Sequence, residues 1–145
     1  MKEYKHTQIG YMLITALGAA TLLVSRVMIV TNFNPGTVLL LAFMVLCLAT
    51  FATLTVEVDD RAINLCFGIG VIRKRFSLED VHVAQAVKNP WYYSWGIHLI
   101  PGGWLFNVSG MQAIELQMKN GRKYRIGTDD VSGLANAVEA HRQKA

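Results

Sequence analysis

The sequence predicts a membrane α-helical hairpin followed by a small, mainly-β sandwich or barrel closed by a C-terminal helix. Three observations carry this. Apolar residues crowd between Ile9 and Val56, and nearly all the charge follows them. From Leu54 onward the hydrophobic period drops from 3.6 to two. The chain then ends on an amphipathic stretch that opens with helix-capping residues. At 145 residues there is room for one ordinary domain and a little more. The change of period divides it into a helical hairpin over 1–54 and a globular part over 55–145.

The first helix is expected over residues 9–30, "IGYMLITALGAATLLVSRVMIV". It carries one charge, Arg26. At about 1.5 Å per residue it measures roughly 33 Å, enough to cross a bilayer core. "TNFNPG" is a polar turn with Pro35 and Gly36. The second helix, over 37–54, is "TVLLLAFMVLCLATFATL" and has no charge. The remaining chain is too short to cover two such helices. A cleaved signal peptide is the rival for the first run. Its basic start fits, but the apolar stretch is too long and no small-x-small site leads into a polar mature start.

Basic residues set the orientation. Lys2 and Lys5 precede the first helix, Arg61, Arg73, Lys74 and Arg75 follow the second, and the loop between them has no Lys or Arg. The positive-inside rule therefore places both termini in the cytoplasm, in a multi-pass protein of the cell (inner) membrane. Arg26 falls near the far end of the first helix, where it anchors at the outer headgroups by snorkelling or contacts a partner helix. Ala16 and Ala20 form a small-xxx-small pair suited to close helix packing.

"TLTVEVDD" alternates Leu54, Val56 and Val58 against Thr55 and Glu57, so it reads as a strand with no linker before it. "AINLCFG" and "VIRKRFS" are the next two. The latter sets Ile72 and Phe76 on one face and Arg73 and Arg75 on the other. "VHVAQAVK" follows, with Val81, Val83 and Val87 on one face. Two short strands flank Pro101-Gly102-Gly103. "MQAIELQM" and "RKYRIG" form a hairpin across Asn120-Gly121, with Ile114, Leu116 and Met118 facing the core. The closing helix is capped by Thr128 or Asp129, and its apolar stripe is Val131, Leu134, Ala135 and Val138. The count is seven or eight antiparallel strands and one helix.

Several function classes fall away. The net charge is +4 and nearly balanced after the first third, so there is no nucleic-acid footprint. Cys47 and Cys66 lie far apart and are expected to stay free. His82 and His98 have no metal spacing between them. Ser94, Ser109 and Ser132 lack a nucleophile-elbow context. "GIG" at Gly68 and "PGG" at Pro101 lack phosphate-loop spacing. No enzyme, cofactor, metal or small-molecule substrate is expected.

The stretch "YYSWGIHLIPGGWLFNVSG", followed by "AIELQMKNGRKYRIGTDD" and a final helix, resembles small two-helix membrane-anchored bacterial PH-like-domain proteins. The resemblance covers roughly residues 54 to 142. It implies two packed antiparallel sheets with a C-terminal helix over one open corner. It implies little chemistry, because that fold serves lipid binding, peptide binding and scaffolding alike. Phosphoinositide-binding PH domains use basic residues on the first two strands and the loop between them. Here that loop is "DDRA", and Asp59 and Asp60 would repel a phosphate.

Two groups of residues are candidate binding surfaces. Residues 89–110 hold all three tryptophans. They read as core, as a membrane-interface loop led by Trp91, Tyr92, Tyr93 and Trp95, or as a partner groove. Trp104 and Phe106 are expected to point inward and the "PWYY" segment outward. The basic residues Arg73, Arg75, Lys119, Arg122, Lys123 and Arg125 read as solvated strand faces or as an anionic-lipid contact. Lys74 alternates to the face opposite Arg73 and Arg75. The leading expectation is a non-enzymatic binding and scaffold protein, docking a protein partner or a second copy of itself at an exposed strand edge or the aromatic loop. An anionic-lipid-responsive module and an accessory subunit of a membrane transporter or enzyme complex are the alternatives.

Overall fold

The computed structural model describes residues 3–93 and 95–144. Lys2, one of the orienting basic residues, and Ser94 lie outside them. The first element is one the sequence reading missed. Strand β1 (Tyr4–Ile9) precedes the helices and pairs antiparallel with β2 (Thr53–Val58), from Tyr4↔Val58 to Ile9↔Thr53. Its alternation is hidden because the more buried set, Tyr4, His6 and Gln8, is polar. Each has a polar partner: Tyr4 Oη donates to Asp130 Oδ2 at 3.0 Å, His6 Nε2 lies 2.5 Å from Asp129 Oδ1, and Gln8 Nε2 donates to the Ser109 carbonyl at 3.0 Å.

Helices α1 (Tyr11–Val30) and α2 (Pro35–Phe51) are therefore an insertion between two paired strands. α1 starts at Tyr11 rather than Ile9 because Ile9 belongs to β1. α2 starts earlier than expected because the Asn34 side chain accepts from Gly36 N at 2.9 Å and Pro35 suits the first helical turn. It stops at Phe51 because Thr53 and Leu54 are taken into β2. By length and composition α1 is long and apolar enough to cross a membrane, and α2, with 17 residues, is a shorter apolar helix. No residue of α1 is buried, and Thr50 alone is buried on α2. The helices pack on each other, half-covering Ile14, Leu17, Thr21 and Met28 on one and Leu41, Met44 and Leu48 on the other. Ala16 is exposed and lies off this seam, while Ala20 is half-covered.

The root of the hairpin is tied by backbone. Gly10 N donates to the Ala52 carbonyl at 2.8 Å, Gly68 N to Thr53 at 2.8 Å, and Ile69 N to Ala49 at 3.3 Å. Gly68 has φ +46°, and a Cβ there would lie 2.0 Å from the Ala49 carbonyl oxygen. Only glycine lets the β3–β4 turn reach the last turn of α2.

One sheet has the order β1-β2-β3-β4, with β3 spanning Ala62–Phe67 and β4 Ile72–Ser77. The other comprises β5 (Val81–Lys88), β6 (Gly96–Ile100), β7 (Gly103–Asn107), β8 (Gln112–Met118) and β9 (Lys123–Gly127), in the order β5-β8-β9-β7-β6. All pairings are antiparallel except β7 with β9, which the hairpin count did not anticipate. The sheets face each other without closing, so the architecture is a sandwich rather than a barrel. Leu54, Val56, Val58, Ile63, Leu65 and Phe67 from the first sheet meet Phe106, Val108, Ile114, Leu116 and Ile126 from the second, all nearly fully buried.

Two local expectations change. A register shift between Val81 and Val83 puts Val81 in the core and turns Val83 and Val87 away from it, so Ala84 and Ala86 stand opposite Leu116 and Ile114 instead. Helix α3 (Val131–Arg142) buries Leu134 and Val138 as its stripe requires, but its cap is Asp130, whose Oδ1 accepts from Gly133 N at 3.0 Å. Thr128 instead holds the Asp130 N–H, and Asp129 faces His6. α3 lies against β5 and β8 and reaches β1 and β2.

Gly68→Ala should destabilise the protein by about 1–3 kcal/mol through the clash with Ala49 and the left-handed backbone. Denaturation followed by circular dichroism in detergent checks this. Gly121→Ala, also at positive φ but with open space around its Cβ, serves as the milder comparison.

Candidate functional site

The strand registers give the sandwich a root end, where the helices emerge, and a far end. At the root end of the first sheet the β3–β4 turn exposes Ile69 and Val71 beside α2. At the root end of the second sheet lie residues 88–96 and 108–112. The loop starts where Asn89 N donates to the Met111 carbonyl at 2.6 Å, and a single helical turn follows over Trp91–Tyr93. Trp91 and Tyr92 are 82% and 65% exposed. Tyr11, Met12 and Met111 are exposed nearby. Apolar side chains thus ring the base of the hairpin. The segments 68–73, 88–96 and 108–112 hold the basic residues Arg73 and Lys88, and exposed Asp129, just past β9, stands at the same end near Ile9, Tyr11 and Met111.

The same loop folds back over the outer face of the second sheet. There Glu115, Arg125 and Leu105 are neighbours across β8, β9 and β7. Leu105 is fully buried and Glu115 is 3% exposed, although both point away from the sandwich core. Arg125 Nε donates to Glu115 Oε2 at 2.8 Å, and Arg125 Nη1 donates to Asn89 Oδ1 at 3.0 Å. The guanidinium lies 5.6 Å from the centre of the Tyr93 ring. Lys123 Nζ adds a charge 3.8 Å from Glu115. Burial pushes the Glu115 carboxyl up, but hydrogen bonds from Arg125 and Gln117 and the charges of Arg125 and Lys123 together hold it below the usual glutamate value.

The structure divides the aromatic stretch. Phe106 points into the core as expected, and Trp91 and Tyr92 point outward. Tyr93 is half-buried over Arg125, and half-buried Trp95 shares a pocket with Met12 of α1. Trp104 was expected inside but is 44% exposed. It pairs with exposed Leu99 across the β6–β7 hairpin, where the second sheet extends past the edge of the first. Phe76 and Tyr124, 4.7 Å apart, continue this apolar shelf to β4, an edge strand.

The basic residues also separate. Lys119 and Arg122 are exposed at the tip of the β8–β9 hairpin, at the far end. That is six steps along β8 from Gln112, about 20 Å at ~3.4 Å per residue. Lys123 and Arg125 are engaged with Glu115. Arg73 and Arg75 are exposed on the outer face of the first sheet, Arg73 Nε donating to the Gly70 carbonyl at 3.1 Å. Lys74, on the opposite face, lies 5.9 Å from the centre of the Phe76 ring. Arg26 is exposed on α1. The "DDRA" loop is at the far end, and its first acid organises the turn. Asp59 accepts from Arg61 N and Ala62 N, each at 2.8 Å, and from Asn64 Nδ2 at 3.0 Å. These bonds, led by that from Arg61, hold its carboxyl below the usual aspartate value.

Among the described residues no group of three or more His, Cys, Asp or Glu is placed to hold a metal ion. The His98 ring sits against the Trp95 carbonyl, His82 is exposed, and both cysteines are free. Comparison with family models, curated proteins and solved structures returned no match. The sequence reading had not singled out Met12, Ile69, Val71, Lys88, Asn89, Leu99 or Met111. Their common signal is position at a turn or element end, which is visible only once β1 fixes where the helices leave the sheet.

Glu115→Ala should cost about 3 kcal/mol, because Arg125 is left largely buried without its counter-charge. Glu115 is more acidic folded than unfolded, so its contribution is present above the ordinary glutamate range (about 4.3) and is lost as pH falls through the folded value. Urea titrations at neutral and acid pH should show Glu115→Gln losing less stability on acidification than the parent chain.

Proposed function

We propose that the chain is a non-enzymatic, membrane-anchored binding protein whose sandwich is held on the bilayer surface and docks a protein partner along a lateral edge. The observation that carries this is the uncovered apolar hairpin that grows out of two paired strands inside a ring of Ile69, Val71, Tyr11, Trp91 and Tyr92. At about 1.5 Å per residue the two helices measure roughly 25–30 Å, close to the hydrocarbon thickness of a bilayer. Trp and Tyr favour the headgroup depth that the root end would occupy. The pairing of β1 with β2 brings both ends of the hairpin to one body, which supports a two-pass arrangement with both termini on one side. Positive-inside bias makes that side the cytoplasm of a bacterial inner membrane, with Arg26 anchoring near the opposite surface.

We read the body as PH-like. Two packed sheets and a C-terminal helix support this, while the parallel β7–β9 pair departs from a simple antiparallel plan. The docking edge is β4. An extended segment of an acidic partner adds to its unpaired backbone beside Arg73, Lys74 and Arg75, with alternate apolar side chains on Leu99 and Trp104. The second reading, an anionic-lipid-responsive module, is favoured by Arg73 and Lys88 at the root end and opposed by the exposed Asp129 at that same end. In that reading Lys119 and Arg122 contribute little, being at the far end.

In a Cys47→Ser, Cys66→Ser background, Asn32→Cys should react with a membrane-impermeant maleimide on intact spheroplasts, and Lys119→Cys only after permeabilisation. The reverse pattern would sink the orientation. Leu99→Asp with Trp104→Asp should abolish any stoichiometric partner that co-purifies with the full chain. Retention of that partner would exclude the β4 edge.

A further inference from the structure

The two sheets are unequal: four strands face five, and the shortfall lies beside β4. Phe76 of β4 packs on Tyr124 of β9 and Phe106 of β7, with ring centres 4.7 and 6.0 Å away. Beyond it the inner face of the second sheet is bare. Leu99 and Trp104 point the same way as Ile97 and Phe106, which pack into the core, yet they are 72% and 44% exposed. Strands in a sheet lie about 4.8 Å apart, so this ledge has room for one more strand beside β4.

The backbone of β4 is phased to receive it. Leu78 N donates to the Arg61 carbonyl at 2.9 Å, which sets the alternation along the β3–β4 ladder. Ile72, Lys74 and Phe76 direct their backbone groups to β3, and Arg73, Arg75 and Ser77 turn theirs to the open edge. Side chains alternate with the same period. Ile72 and Phe76 face the core, and Arg73 and Arg75 are exposed on the outer face. Among the described residues none of Arg73, Lys74 and Arg75 forms a salt bridge. An incoming strand therefore meets cationic side chains with one set of its residues and the apolar ledge with the other. A second copy of this chain cannot supply the matching pattern. Its edge strands, β1, β4, β5 and β6, contain no Asp or Glu. Pairing β4 with β4 would also set like charges opposite one another.

We propose that β4 takes an extended segment of a different protein in which acidic and apolar residues alternate, the acids opposite Arg73 and Arg75 and the apolar residues opposite Lys74 and Phe76, over Trp104 and Leu99. The added strand completes a sandwich of five strands on five. This rests on the docking edge proposed above and adds the residue pattern that the edge accepts.

The test uses the full chain in detergent with Trp91→Phe and Trp95→Phe, so that Trp104 alone reports. One capped peptide alternates glutamate and valine over the length of β4. A second has the same composition in two blocks, and a third alternates lysine and valine. The glutamate–valine alternation should shift Trp104 emission to the blue at millimolar peptide, and the other two should not. Arg73→Glu with Arg75→Glu should weaken that peptide about tenfold, within what two exposed ion pairs supply, and should admit the lysine–valine peptide. N-methylation of one alternate set of peptide amides should abolish binding, while methylation of the other set leaves it. Absence of any preference for the alternating over the blocked peptide, or equal tolerance of both methylated sets, would overturn the pattern. The docking edge would still stand if Leu99→Asp with Trp104→Asp releases a co-purifying partner, and would fall too if that partner is retained. A detergent dimer that those two substitutions split would put a second copy on β4 and overturn the proposal.

Discussion

The pairing of β1 with β2 is the constraint on which the rest of the structure depends. Two strands that flank a 20-residue and a 17-residue helix are hydrogen-bonded from end to end. The helical hairpin therefore leaves the sheet as a continuation of it. Gly10, the one residue between β1 and α1, is bonded to Ala52, the one residue between α2 and β2. The β3–β4 turn then braces α2 through Gly68 and Ile69. A body joined in this way cannot rotate freely on its helices. Whatever fixes the hairpin in space also fixes which loops lie around its base.

That geometry explains why residues with similar chemistry serve different ends. Trp91 and Tyr92 lie beside α1, whereas Trp104 lies at the opposite end of the sandwich and on its other side. The basic residues near the C-terminal hairpin look like one patch in the sequence. In three dimensions Arg125 is consumed in supporting Glu115 and Asn89, Lys123 shares the same carboxylate, and Arg122 projects from the tip. The loop over the outer face of the second sheet does double duty. Tyr93 and Asn89 close it onto a buried ion pair, which frees Trp91 and Trp95 to face the helix.

Much of this order was legible in the sequence. The alternation of Leu54, Val56 and Val58, the Asn120-Gly121 hairpin and the Leu134–Val138 stripe read correctly, because each reports a single buried face. β1 was not legible, since Tyr4, His6 and Gln8 are polar and find their partners more than a hundred residues away in the chain. The bulge after Val81 and the parallel insertion of β9 between β8 and β7 depend on contacts between elements, which local periodicity does not carry. For the candidate site, the residue types in "PWYYSW" marked the right segment. Its neighbours, Met12 above all, became visible only through the fold.

The most direct test of the central claim is a distance measurement across the hairpin root. Spin labels at Asn32→Cys, on the helical turn, and Arg61→Cys, at the far end of the sandwich, would be read by double electron–electron resonance. The full chain would be in lipid nanodiscs, with Cys47 and Cys66 replaced by Ser. A rigid root predicts one narrow distance distribution, unchanged between detergent and bilayer. A broad distribution, or one that shifts with the surrounding medium, would mean that the sandwich swings on a tether, and would contradict the account.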